Sequence, residues 1–129
     1  MAEGRHAEAL DALLTAKRLQ IATDDISVLD ANIAATLLAT GRLHDAMDQA
    51  RLAIPQFTPA NGRIAEVPWL VLIAAEAASG RPADAHSELN RFLAVPRTLK
   101  TIAAVRDVPL VAENSVLLDG LREAGMPKR

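Results

Sequence analysis

Gly41-Arg42-Leu43-His44-Asp45-Ala46 and Gly80-Arg81-Pro82-Ala83-Asp84-Ala85 follow one pattern: glycine, arginine, two free positions, an acid, then alanine. A third copy, Gly4-Arg5-His6-Ala7-Glu8-Ala9, stands near the N-terminus, and the glycines are 37 and 39 residues apart (41 − 4 and 80 − 41). Internal periods of this size mark stacked helix pairs. Each glycine can take the left-handed backbone that ends one helix, and the acid then falls in the first turn of the next, where it favours the helix dipole. The alanine lets the paired helices approach closely. Ala46, Ala50 and Ala53 continue at spacings of four and three, as do Ala85, Leu89 and Phe92, so each trio shares one helical face.

Composition agrees with that reading. Half of the 129 residues are hydrophobic but only 2 % are aromatic, so the core has to be packed from Ala, Leu, Ile and Val. Ala and Leu are strong helix formers, and an all-α chain of this length makes one domain that buries roughly two thirds of its unfolded surface. A formal charge of −2 leaves no basic stripe for nucleic acid. Without cysteine there is no disulfide, thiolate nucleophile or Cys-held metal, which suits a reducing cytoplasm. Residues 1–6 lack the apolar core of a signal peptide, and the apolar run Val67 to Ala75 is far shorter than the ~20 residues that span a bilayer. A cytoplasmic protein with no membrane partner is expected.

The spacing predicts helices over about His6–Gln20, Ile26–Thr40, Leu43–Ile54, Glu66–Ser79 and Pro82–Val95, with Asp24 or Asp25 capping the second and a loop around Pro55–Arg63. Beyond Pro96 the register is lost. A short helix is expected over Arg97–Val105 and a last one after a cap at Asn114 or Ser115, with Val116, Leu117, Leu118, Leu121 and Ala124 inward and Gly125 as its stop.

These residues resemble the tetratricopeptide repeat, whose pattern sets a Trp near the start of the first helix, a turn glycine, an alanine five positions on, and further packing residues four and three beyond. The later unit matches through Trp69, Gly80, Ala85, Leu89 and Phe92. The earlier one matches through Gly41, Ala46, Ala50 and Ala53, but has Asp30 where the Trp would stand and Ala34 in place of a second glycine. Gly4 and Ala9 begin the first copy. The resemblance covers about residues 4–95 and implies antiparallel helix pairs stacked in a short right-handed superhelix, with the tail, about 97–126, as capping helices. It also implies a protein–protein interaction module without catalytic activity or cofactor. The stretch Leu117–Pro127 is similar to the end of bacterial regulators in which such repeats follow an adenylate cyclase-like or winged-helix domain; no cyclase or DNA-binding residue is present to carry over.

By the same resemblance the concave groove would be lined by Val28, Ala31, Asn32, Ala35, Leu38 and Ala39 on one helix and by Val67, Leu70, Ala74, Ala77 and Ala78 on another. A family subset clamps a chaperone's terminal carboxylate there with Lys, Arg and Asn, of which only Asn32 is kept. An apolar groove suits an amphipathic helix, either a partner's or the chain's own tail. Glu76 lies within an otherwise apolar helix and has two readings: an ion pair with an arginine such as Arg91 or a place at the solvent edge, or a charge at the floor of the groove. The second would make a small-molecule sensor near Trp69 and Glu76. Since Gly4 is the turn glycine, the first helix of the first pair would precede Met1; the leucines this leaves uncovered suggest a homodimer through the N-terminal helix, the alternative being that the chain is the separated end of a longer protein. No phosphate loop, HExxH or nucleophile elbow occurs, and His6, His44 and His86 read as surface or helix-end residues.

Overall fold

The computed structural model describes residues 26–56, 65–109 and 111–129, together with Glu8, Leu10, Asp11, Ala12, Leu14 and Thr15, which are helical. Every regular element among the described residues is a helix. Helix α1, Ile26–Ala39, turns into α2, Leu43–Ala53, which runs on as a 3₁₀ turn, Ile54–Gln56; α3, Val67–Ala78, turns into α4, Pro82–Leu93. The tail adds a one-turn helix α5, Ile102–Arg106, and a last helix α6, Ser115–Ala124.

Both hairpin turns are made the same way. Gly41 and Gly80 sit at φ of +82° and +83°, conformations that glycine adopts without a Cβ penalty. Beyond each, the next amide reaches back five residues to close the helix: Arg42 N–H donates to Leu37 C=O and Arg81 N–H to Glu76 C=O, both at 3.0 Å. Asp45 and Asp84 fall in the first turns of α2 and α4, and Pro82 opens α4, where its missing N–H costs nothing. Arg42 also grips Asp45 Oδ2 at 2.7 Å.

The repeat-defining residues are the packing residues. Ala46, Ala50 and Ala53 of α2 and Ala85, Leu89 and Phe92 of α4 are all buried. Helix α3 packs against α2, α4 and α1, and almost its whole surface is covered. Gly4, Ala9, the Asp24–Asp25 cap and most of the loop before Ile64 lie outside the described residues, as do the ends of the first helix.

In the tail, α5 begins at Ile102, later than the expected Arg97. Residues 97–101 are not helical; Glu66, 7 % exposed, holds this segment by its backbone, Thr98 N–H donating to it at 3.0 Å and Leu99 N–H at 2.7 Å. Thr101 then caps α5 by accepting from Ala104 N–H at 3.1 Å. Ile102 and Ala103 donate their amides to Pro127 and Lys128 carbonyls at 2.8 and 3.0 Å, which ties the chain's last residues to the start of α5. Asn114, not Ser115, caps α6, accepting from Leu117 N–H at 3.1 Å, and Gly125 ends it at φ +104°.

Candidate functional site

Helix α6 carries the feature that decides the site. A further stacked hairpin would rest its first helix chiefly on α4, the second helix of the preceding pair. Instead α6 packs mainly along α3, with smaller contacts to α1 and α4. It therefore lies across the first helices of the two hairpins, the surface on which the sequence places the groove.

Two contacts fix the register. Asn114 Nδ2 donates to Ala35 C=O on α1 at 2.9 Å, so one side chain both caps α6 and ties it to the groove floor. Six residues on, Gly120 crosses α3 at Ala74: a Cβ added there would stand 2.7 Å from Ala74 Cα and 2.8 Å from its Cβ. At the far end His86 of α4 holds the last turn, its Nδ1 lying 2.9 Å from Ala124 C=O and donating to it, since a carbonyl can only accept. His86 is thus a helix-end residue with a specific partner.

The groove residues fall into place around those contacts. Ala31, Ala35 and Leu38 share a stripe of α1, and Val67, Leu70 and Ala74 a stripe of α3; all six are buried. Asn32 is half-buried and its carbonyl accepts from Thr36 Oγ1 at 2.8 Å. The side chain of Val28 lies outside the described residues. Three of those six buried residues are alanine, and at Ala74 the small side chain permits the close helix approach that Gly120 completes. Leu117, Leu118 and Leu121 supply the apolar face of α6, while Asp119, Arg122 and Glu123 stay exposed.

Glu76 does not join these residues. Two positions from Ala74 is about 200° around a helix, so it faces away from α6. Glu76 as a residue is 6 % exposed, and its carboxyl has no hydrogen bond or ion pair among the described residues; Arg91 lies instead 3.7 Å from Glu88. Burial pushes the Glu76 carboxyl above the usual carboxylate range, Glu88 and Asp84 push it further the same way, and Arg51 and Arg81 pull against them. The pairing with Arg91 is therefore replaced by a desolvated acid held between α2 and α4.

Trp69 shares that α4 side of α3. The Arg97 guanidinium lies 4.5 Å from the Phe92 ring centre and 5.9 Å from that of Trp69, and its Nε donates to Phe92 C=O at 2.8 Å. Trp69 and Glu76 thus meet the chain's own groups and do not face the groove.

Glu66, Arg97 and Gly120 were not singled out by the sequence, and His86 was read as a surface or helix-end residue without its partner. Of these only Gly120 carries a readable signal, since glycine inside an amphipathic helix usually has a packing reason.

Two open hollows lie elsewhere. One, of about 430 Å³, is lined by Leu10, Leu14, Ile33, Leu37 and Leu52, with Asp45 and Asp48 at its rim. Another, of about 690 Å³, carries Arg106, Arg122, Lys128 and Arg129. Among the described residues no group of three or more His, Asp or Glu side chains is placed to hold a metal ion, and no helix is long and apolar enough to cross a membrane. No protein-family model, curated protein or solved structure matches the chain. The class that the structure defines is an all-helical chain of two hairpins closed by a helical tail.

Proposed function

We propose that this chain is a protein–protein interaction module of the tetratricopeptide kind, acting in the cytoplasm as a scaffold or as a regulatory part of a larger assembly, with no catalysis of its own. In this reading the hairpins stack as a short right-handed superhelix, and the first helix of each lines its concave side. One observation carries the reading: the face made by α1 and α3 already holds an amphipathic helix, α6, against an alanine floor at the spacing of one small residue. That is the helix-in-groove mode of recognition. The face offers no basic side chain to clamp a terminal carboxylate, so a helical ligand is favoured over an extended acidic one.

The test is selection of displayed peptides on the folded chain. Enrichment of sequences with apolar residues at helical spacing, whose binding weakens at least ~10-fold on Asn32→Arg at the groove edge, supports the reading; that factor is a loss of about 1.4 kcal/mol. Enrichment of extended or charged peptides, or binding indifferent to Asn32→Arg, overturns it.

A further inference from the structure

The groove and its cover differ in character. Helix α3 is apolar on nearly every side, as an element buried from all directions must be. Helix α6 is amphipathic, with Leu117, Leu118, Leu121 and Ala124 inward and Asp119, Arg122 and Glu123 outward. Among the described residues no ion pair joins it to the groove, and Arg122 is paired within α6 to Asp119 at 2.9 Å. Its polar links to the hairpins are at its two ends, Asn114 to Ala35 and His86 to Ala124. Between them the contact is apolar packing alone, with Gly120 on Ala74 at the crossing. A helix held in this way is related to its groove as a bound ligand is, joined through the segment 94–114.

We propose that α6 is a releasable plug of the α1/α3 groove, and that the groove's external ligand is an amphipathic helix of another protein with a small residue at its crossing point, which takes the place of Ser115–Ala124. This inference rests on the interaction-module reading and adds its regulation. The closed chain binds only as fast and as tightly as the fraction with α6 released allows, so loosening α6 raises apparent affinity without a change in the groove. The ligand must match what α6 supplies: leucine-type side chains one turn apart, glycine or alanine where Gly120 sits, and a capping Asn or equivalent at its N-terminal end.

Two measurements on the full chain test the proposal. Hydrogen exchange of the wild-type chain should show amides of α6 exchanging at least ~100-fold faster than those of α3, through an opening that leaves the hairpins closed. Equal protection would make α6 an inseparable part of the core and overturn the plug, while the module reading would stand on other faces. The second measurement uses Leu121→Asp, which charges α6 and leaves the groove intact, with a fluorescein-labelled peptide of residues 113–129 as probe. The variant should keep its hairpin helicity and bind the peptide ~100-fold more tightly than wild type, by anisotropy. Global unfolding of Leu121→Asp would again overturn the plug alone. A folded variant that ignores the peptide would overturn the groove as a helix-binding site, and the module reading with it.

Discussion

Replacing Gly120 with alanine adds a single methyl group where α6 crosses Ala74 of α3. At an exposed helix position the change would stabilise by about 1 kcal/mol, because alanine is the better helix former. Here the new Cβ would stand 2.7 Å from Ala74 Cα and carbonyl oxygen and 2.8 Å from Ala74 Cβ, against ordinary contacts of 3.4–4 Å. Two of the three opposing atoms are backbone and cannot rotate aside, so α6 must rise from α3 by several tenths of an ångström, which also thins the packing of Leu117 and Leu121. Overpacking of this kind costs roughly 1–3 kcal/mol, and two backbone contacts place it in the upper part of that range. Subtracting the propensity gain leaves a net loss of about 1–2 kcal/mol. Urea denaturation at neutral pH should show that loss, and the melting temperature should fall by roughly 4–8 °C. Asp119→Ala, one position away on the exposed side, should change stability by less than about 0.5 kcal/mol. A Gly120→Ala chain as stable as wild type, or more so, would refute the close crossing and with it the placement of α6 in the groove.

Other expectations rest on independent contacts. For Glu76 the folded chain holds the carboxyl proton more tightly than the unfolded chain, so stability is highest below its ordinary value of 4.5 and falls as pH rises through the raised one. Glu76→Gln removes that slope, and denaturant midpoints should show the variant level with wild type in acid and more stable at pH 7; a less stable variant at pH 7 would restore an ion-pair role. Glu66→Ala strips one buried and one part-buried amide of their acceptor and should cost about 1–3 kcal/mol, with faster hydrogen exchange at Thr98 and Leu99; an unchanged melt would contradict the anchoring of 97–101. Leu14, 38 % exposed beside Leu37 and Leu52, is the described residue best placed to test a dimer through the N-terminal helix. Light scattering should then show a dimer whose dissociation constant rises at least ~10-fold in Leu14→Asp, whereas a wild-type monomer at all concentrations would end that expectation.

The hairpins were legible because local chemistry determines them. A glycine that must take positive φ, an acid in the next first turn and alanines at spacings of four and three can be read without knowing any distant contact, and Ala46, Ala50, Ala85 and Phe92 are buried as that pattern requires. Asn114 was legible as a cap for the same reason. What the sequence did not disclose depends on pairs far apart in the chain. Glu66 binds amides more than thirty residues away, in a segment, 97–101, that is not helical although its composition reads as helix. The apolar surroundings of Glu76 were visible, but not that Arg91 would turn to Glu88. Positions such as Ala35 and Ala74 were legible as apolar stripes of α1 and α3, yet periodicity alone left open whether a partner or the tail would cover them, and it set Glu76 among them although it faces away.

The scarcity of aromatics links these observations. A core with Phe92 as its largest fully buried side chain, and alanine at many of its contact points, brings helix axes close together and spreads stabilisation over many small contacts. At such contacts an added carbon meets backbone, whereas removing one carbon from alanine leaves little cavity. Shape therefore constrains α6 more tightly than apolar area does. Leu117, Leu118 and Leu121 would suit many grooves, but only a helix with a small residue at position 120 can lie on Ala74 at this distance. The same constraint would bear on any external helix that used the face. Discrimination among amphipathic helices would then rest on rejecting bulk at the crossing, a selectivity that an alanine floor supplies without a charged side chain.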